Sequence, residues 1–291
     1  LVAPSPLATA AVELHQEGLH QAVVVGGGDG ADGIAQIAAH GAGAGYLIDC
    51  ITFVISLSLL WRVRSVPPLS KSTPPSIAAL MEGIRYAYNR KDLLGTYVVD
   101  LAAMFLAMPM ALFPFWADEI GAPYALGFFY SSITIGAVIV TLLSGWMRNY
   151  PHHGRAVAIG ALGWGVAIVV AGSSDSLTVV IASLIVAGAF DQVSALFRGF
   201  IWNQSIPDEL RGRLAGIEML SYLLGPLGGQ ARAGGMAALT SLRTSIVGGG
   251  LLCIGFVAAI AAVMPKFRNY DVRTNEFAVQ QAKIRQNQEK V

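Results

Sequence analysis

Four ionisable side chains interrupt three long apolar stretches of this sequence: Asp100, Asp191, Arg198 and Glu218, with Asp49 near the end of a fourth stretch. Asp191 and Arg198 are seven residues apart, so on a helix they share a face about 10 Å apart along the axis. A charge within an apolar helix is costly and turns toward a cavity or another charge. A carboxylate withdrawn from water holds a proton more readily than an exposed one. One that is reached alternately from two sides can therefore carry protons. Asp191 and Asp100 are the first choices for that chemistry, with Glu218 third. A structural role is the open alternative for each: Arg198 can snorkel to an interface, and the carboxylates can brace loop arginines.

The elements that hold these residues are set by composition. Of 291 residues, 54% are hydrophobic and 13% charged, the latter about half the share of a soluble domain. Such a chain cannot cover a water-facing surface. Its apolar runs give seven candidate spans, at 44–61, 95–117, 126–147, 155–173, 177–202, 213–231 and 245–265, each near the length that crosses a bilayer. The run at 213–231 is the weakest, being rich in glycine and carrying Glu218. Pro109 and Pro114 fall within 95–117, which packed membrane helices tolerate because neighbours satisfy the freed carbonyls. The fold class expected is all-α, a polytopic membrane helix bundle.

Basic residues alternate with the crossings. Sixteen of the nineteen Lys and Arg fall in the 62–94, 148–155 and 203–213 loops and the 266–291 tail; Arg232 and Arg243 fall on the other side and Arg198 within a span. The positive-inside rule makes the first group cytoplasmic, so the chain is expected to be multi-pass, with the C-terminus cytoplasmic and the lipid bilayer as partner. The 62–94 linker carries Ile77, Leu80, Met81, Ile84 and Tyr88 at helical spacing. That stripe fits a basic amphipathic helix on the membrane surface or a linker helix packed on the bundle. The tail reads as a polar helix, solvated or frayed.

Other chemistries find little support. Net charge is +1, which gives no electrostatic case for nucleic acid. Gly28-Asp29-Gly30-Ala31-Asp32-Gly33 spells G-x-G-x-x-G, but a dinucleotide site needs a βαβ unit around it. Here an apolar span follows within about ten residues, and Asp49 lies inside it, out of reach of a ribose. Cys50 and Cys253 sit in apolar runs and read as small buried or lipid-facing residues. His152 and His153 read as a solvated turn, not a metal site. No metal and no cofactor are expected. A receptor or scaffold calls for a sizeable extramembrane domain, and an enzyme for a nucleophile–base or metal constellation; the sequence offers neither.

Several stretches carry a family resemblance. "EGIRYAYNRKDLLGTYVVDLAAMFLAMPMALFPFWADE" (82–119), "DQVSALFRGFIWNQSIPDELRGRLAGIEMLSYLLGPLGGQARAG" (191–234) and "SIVGGGLLCIGF" (245–256) resemble the C-terminal half of major facilitator transporters of the enterobactin-exporter-like, drug and siderophore efflux branch. The resemblance runs from about 44 to 270. It implies a sixth helix at 44–61, a cytoplasmic central linker at 62–94, a C-terminal six-helix domain at 95–265 and a cytoplasmic tail at 266–291. Residues 1–43 then occupy the slot of the fifth helix. A weak internal repeat supports this: Pro4 and Leu7 in 2–16 match Pro207 and Leu210 in 206–220. Yet "GGGDGADGIA" stands where the family has an apolar helix, as a disturbed reading frame between about 12 and 40 or a poorly inserted segment produces. The first residue is not methionine, which points to a fragment.

The resemblance implies a location in a bacterial inner (plasma) membrane and export of a siderophore or amphipathic drug-like small molecule by proton-coupled alternating access in a full-length transporter. Small-molecule substrate, protons and the N-terminal half are then the partners. The alternative is a truncated fragment that does not transport. The loop bearing Asp208, Glu209, Arg211 and Arg213 is a cytoplasmic gate of ion pairs or a capping turn. "GWMRNYPHHGRA" (145–156) resembles the family's signature loop at Gly145, Gly154 and Arg155, with Asn149 where an acid is usual. Phe128, Phe129, Tyr130, Trp164 and Trp202 are candidates to line a cavity.

Overall fold

Helices account for all regular structure described in the computed structural model, which covers residues 47, 50, 51, 53–62 and 77–288, without the side chains of 77–80, 208, 209, 211, 220, 285 and 288. The chain divides into two units, Leu1–Pro67 and Pro68–Val291. In the first, residues 53–61 are helical. The glycine motif, Asp49, the 2–16 repeat and the segment assigned to the fifth-helix slot lie outside the described residues.

The second unit contains α1 (Ile77–Asn89), α2 (Lys91–Ala107), α3 (Phe113–Glu119), α4 (Leu126–Leu142), α5 (His153–Gly172), α6 (Leu177–Ser205), α7 (Asp208–Leu239), α8 (Leu242–Val263), α9 (Pro265–Arg268) and α10 (Glu276–Gln288). Among the described residues five segments are long and apolar enough to cross a membrane: Lys91–Glu119, Pro123–Leu142, His153–Gly172, Leu177–Ser205 and Leu242–Val263. They coincide with five of the seven expected spans. The chain is an all-α polytopic bundle.

Three boundaries differ from the sequence reading. The span expected at 95–117 starts at Lys91 and breaks at Met108 and Pro109, where the chain turns through a 3-10 segment, Met110–Leu112, before α3. Proline cannot donate to the helix ladder, and Pro114 then fits the first turn of α3, where its missing N–H costs nothing. The 126–147 span is α-helical only to Leu142 and ends in a 3-10 turn, Ser144–Asn149. The weak 213–231 run belongs to a longer helix, the 32-residue α7, in which Pro226 lies without ending it.

Packing depends on small residues, as in membrane bundles where close backbone approach replaces hydrophobic drive. α5 and α8 cross at Gly165 and Gly250, each so close that a Cβ there would meet the other's carbonyl oxygen at 3.1 and 2.9 Å. α4 and α6 cross the same way: a Cβ on Gly136 would strike the Ile185 carbonyl, and one on Gly188 the Ile133 carbonyl. α5 is covered over most of its length, whereas α4, α6 and α8 leave most of their apolar surface uncovered.

The linker helix α1 packs on α7 through Gly83, beside Ile217 and Arg213, and its Ala87 is buried. Its apolar stripe points elsewhere, since Met81, Ile84 and Tyr88 are exposed. The tail is a largely exposed helix, but its first turn is held against the bundle. Asn275 Oδ1 accepts from the backbone N–H groups of Phe277 and Ala278 at 3.1 and 3.2 Å, capping α10, and Ala278 is buried. The helix therefore docks on the bundle.

Candidate functional site

α2 and α6 each supply one partner of a buried ion pair. Arg198 Nη1 donates to Asp100 Oδ1, and the two side chains are 4% and 3% exposed. One turn toward the Lys91 end, the same two helices meet again. Trp202 Nε1 donates to Thr96 Oγ1 at 2.9 Å, and Thr96 in turn donates to the Leu93 carbonyl at 2.7 Å. Tyr97 stacks on Trp202 with ring centroids 4.9 Å apart. Thr96 and Tyr97 precede Asp100 by four and three residues, and Trp202 follows Arg198 by four. Those spacings place both rungs on one face of each helix.

Two more carboxylates share this field. Asp191 is half-buried on α6, two turns from Arg198, within electrostatic reach of Arg198 and Asp100. Among the described residues it accepts no hydrogen bond. Glu218, half-buried on α7, accepts from the Tyr222 hydroxyl at 3.0 Å and also senses Arg198 and Asp100. One acid thus binds the guanidinium and two more share its field, while its buried Nε–H has no hydrogen-bond partner among the described residues. The sequence brought Asp191 and Arg198 to one face, but Asp100 is the residue that binds the arginine. Arg198 does not snorkel: it ends inside the bundle.

The remaining expected site residues fall elsewhere. Arg213 Nη1 pairs with Glu82 Oε2 at 2.5 Å, tying α7 to α1. The side chains of Asp208, Glu209 and Arg211 lie outside the described set. Gly154 opens α5 where a Cβ would collide with the Phe267 carbonyl; Gly145 lies in the 3-10 turn with open space around it, and Arg155 is exposed. The histidines are not a solvated turn. His153 is 3% exposed, against Phe197, Phe200 and Tyr270. His152 Nδ1 lies 3.2 Å from Asp271 Oδ2. Phe129 and Trp164 are core residues; Phe128 and Tyr130 are exposed.

Two charged clusters had no strong sequence signal. Arg90 forms a two-pronged pair with Asp92 at 2.9 and 2.7 Å and donates to the Tyr86 hydroxyl at 3.0 Å and the Ser205 carbonyl at 3.3 Å. Asn275 Nδ2 reaches Asp92 at 3.3 Å, and the Phe277 ring lies 3.4 Å from the guanidinium carbon. Burial alone pulls the Arg90 pKa down, but Asp92 more than offsets it, and the net shift is upward. At the other end of the bundle Arg243 Nε donates to Glu119 Oε1 at 2.7 Å, and Nη2 pairs with Asp175. Arg243, one of two arginines against the charge bias, is therefore neutralised by two acids.

An all-α membrane bundle with ionisable groups gathered where its helices cross is the class this geometry defines. Comparison with known proteins narrows it. The chain is 26% identical over 226 residues to the multidrug efflux pump Tap of Mycolicibacterium fortuitum, covering 77% of this chain and 54% of Tap. It is 27% identical over 221 residues to the enterobactin exporter EntS of Shigella flexneri, covering 75% of this chain and 52% of EntS. EntS of Escherichia coli O1:K1 matches at 26% over 221 residues. The chain is thus homologous to drug and enterobactin exporters of the major facilitator type. It spans about half the length of these relatives. No family model and no solved structure matches it.

Proposed function

We propose that this chain takes part in proton-coupled export of a siderophore or amphipathic drug-like small molecule across a bacterial inner membrane. The observation that carries the reading is the buried Asp100–Arg198 pair with Asp191 and Glu218 in its electrostatic field. One guanidinium neutralises one carboxylate, so a second acid in the same low-dielectric field is stabilised by a proton. Arg198 holds Asp100 through Nη1, and its Nε–H is unused among the described residues. Protonation of Asp100 frees the arginine for another carboxylate, and loss of that proton restores the pair. Alternating access needs this kind of two-state contact at a helix crossing.

Substrate sites in folds built from two repeats lie between the bundles near the midplane. The wall this chain offers is Glu218 with the half-exposed Tyr222, beside the Tyr97–Trp202 stack. A second bundle facing that wall, on the same or another polypeptide, is the partner the mechanism calls for. In this reading α1 and α10 lie on the cytoplasmic side, with Lys91–Glu119 through Leu242–Val263 as the transmembrane domain. The test is substrate efflux from cells expressing the whole gene product, with and without a protonophore. Wild type should lose efflux on collapse of the gradient, and Asp100→Asn and Asp191→Asn should each lose uphill transport. Uphill transport that survives both substitutions removes the coupling assignment.

A further inference from the structure

The break between α2 and α3 leaves carbonyls without donors. In a continuous helix the Phe105 carbonyl accepts from the N–H four residues on; that residue is Pro109, which has none. In the structure Arg232 Nε, from α7, donates to the Phe105 oxygen at 3.1 Å, while Nη1 rests 3.5 Å from Met236 Sδ. Two glycines make the approach possible. A Cβ on Gly229 of α7 would strike the Met104 carbonyl, and one on Gly249 of α8 would lie 2.7 Å from Arg232 Nη2.

We infer that Arg232 is a positioning residue that takes the place of the N–H missing from Pro109 and pins the break, setting where residues 110–119 lie. The physical reason is the cost of an unsatisfied carbonyl away from water, which either a side-chain donor or a restored helix must meet. Arg232 also stands against the charge bias of the chain, as does Arg243, and both hold the same segment: Arg232 at its start and Arg243 at Glu119, its tip. The sequence showed two misplaced cations; the structure gives them one task. The pin is a feature of the helix break and does not rest on the exporter reading.

The test is a double-mutant cycle read without transport. The full chain, with Cys50 and Cys253 replaced by alanine, carries Ala117→Cys in α3, where the native side chain is 1% exposed. Maleimide labelling in membranes reports displacement of the segment. Arg232→Met should raise the labelling rate about fivefold, the scale of one lost hydrogen bond. Pro109→Ala returns the N–H, so in that background Arg232→Met should change the rate by less than about twofold. Arg232→Lys, which keeps a donor, should fall between. Equal increases with and without Pro109→Ala, or no increase for Arg232→Met, overturn the inference. Because no efflux is measured, that failure is distinct from failure of the exporter reading.

Discussion

Asp100→Asn removes the carboxylate that Arg198 binds and leaves a guanidinium whose side chain is 4% exposed. Breaking a buried pair from one side costs about 3–5 kcal/mol, because the surviving charge has neither water nor a counter-ion. Asp191 and Glu218 lie in the same field and compensate in part, which places the expected loss near the lower bound, about 3 kcal/mol. For a bundle of this size that is a fall of about 6–12 °C in the unfolding midpoint. Replacing both partners by apolar residues of similar volume, Asp100→Leu with Arg198→Met, removes the orphaned charge and should recover all but about 1 kcal/mol. The assay is thermal unfolding of purified protein in mild detergent, followed by tryptophan fluorescence. A midpoint for Asp100→Asn within about 2 °C of wild type, or a double variant no more stable than the single one, would refute the pairing argument. The double variant should also be transport-dead, which separates what the pair does for coupling from what it does for folding.

Other consequences are equally direct. Burial pushes the Tyr270 hydroxyl up to about 12 from an ordinary 10. A raised pKa means the folded state keeps the proton longer, so this contribution is complete below pH 10 and is lost between pH 10 and 12, by about 2–3 kcal/mol. Tyr270→Phe should remove that part of the alkaline fall in melting temperature; an unchanged alkaline profile counts against it. Gly188→Ala places a methyl on the Ile133 carbonyl at the α4–α6 crossing and should cost about 1–3 kcal/mol by overpacking, whereas Gly145→Ala, with open space around it, should be near neutral; equal melting temperatures for the two refute the crossing. Phe277→Ala removes the ring over Arg90 and should speed trypsin cleavage at Lys283 severalfold as α10 leaves the bundle; an unchanged rate shows that the ring does not hold the tail.

Membrane class, five of the spans and the residues worth testing were legible from the sequence, because each depends on local composition. A run such as Leu242–Val263 has no way to satisfy water along its length, so its environment follows from its letters. Arg198 inside a span was legible for the same reason, being costly wherever it goes. Its partner was not. Periodicity relates residues on one helix, so it brought Asp191 to the arginine's face, but Asp100 reaches it from a helix ninety-eight positions earlier in the chain. The same limit hid the Arg90–Asp92–Phe277 junction, the burial of His153 and the docking of the tail, all of which bring together distant segments. Pro109 announced a disturbed helix, but only the tertiary structure decided that the helix breaks there and that Arg232 meets the freed carbonyl. Local sequence fixes which groups must be kept from water or given a partner; packing alone determines which distant residue supplies that partner, because the choice depends on helix crossings that no single helix encodes.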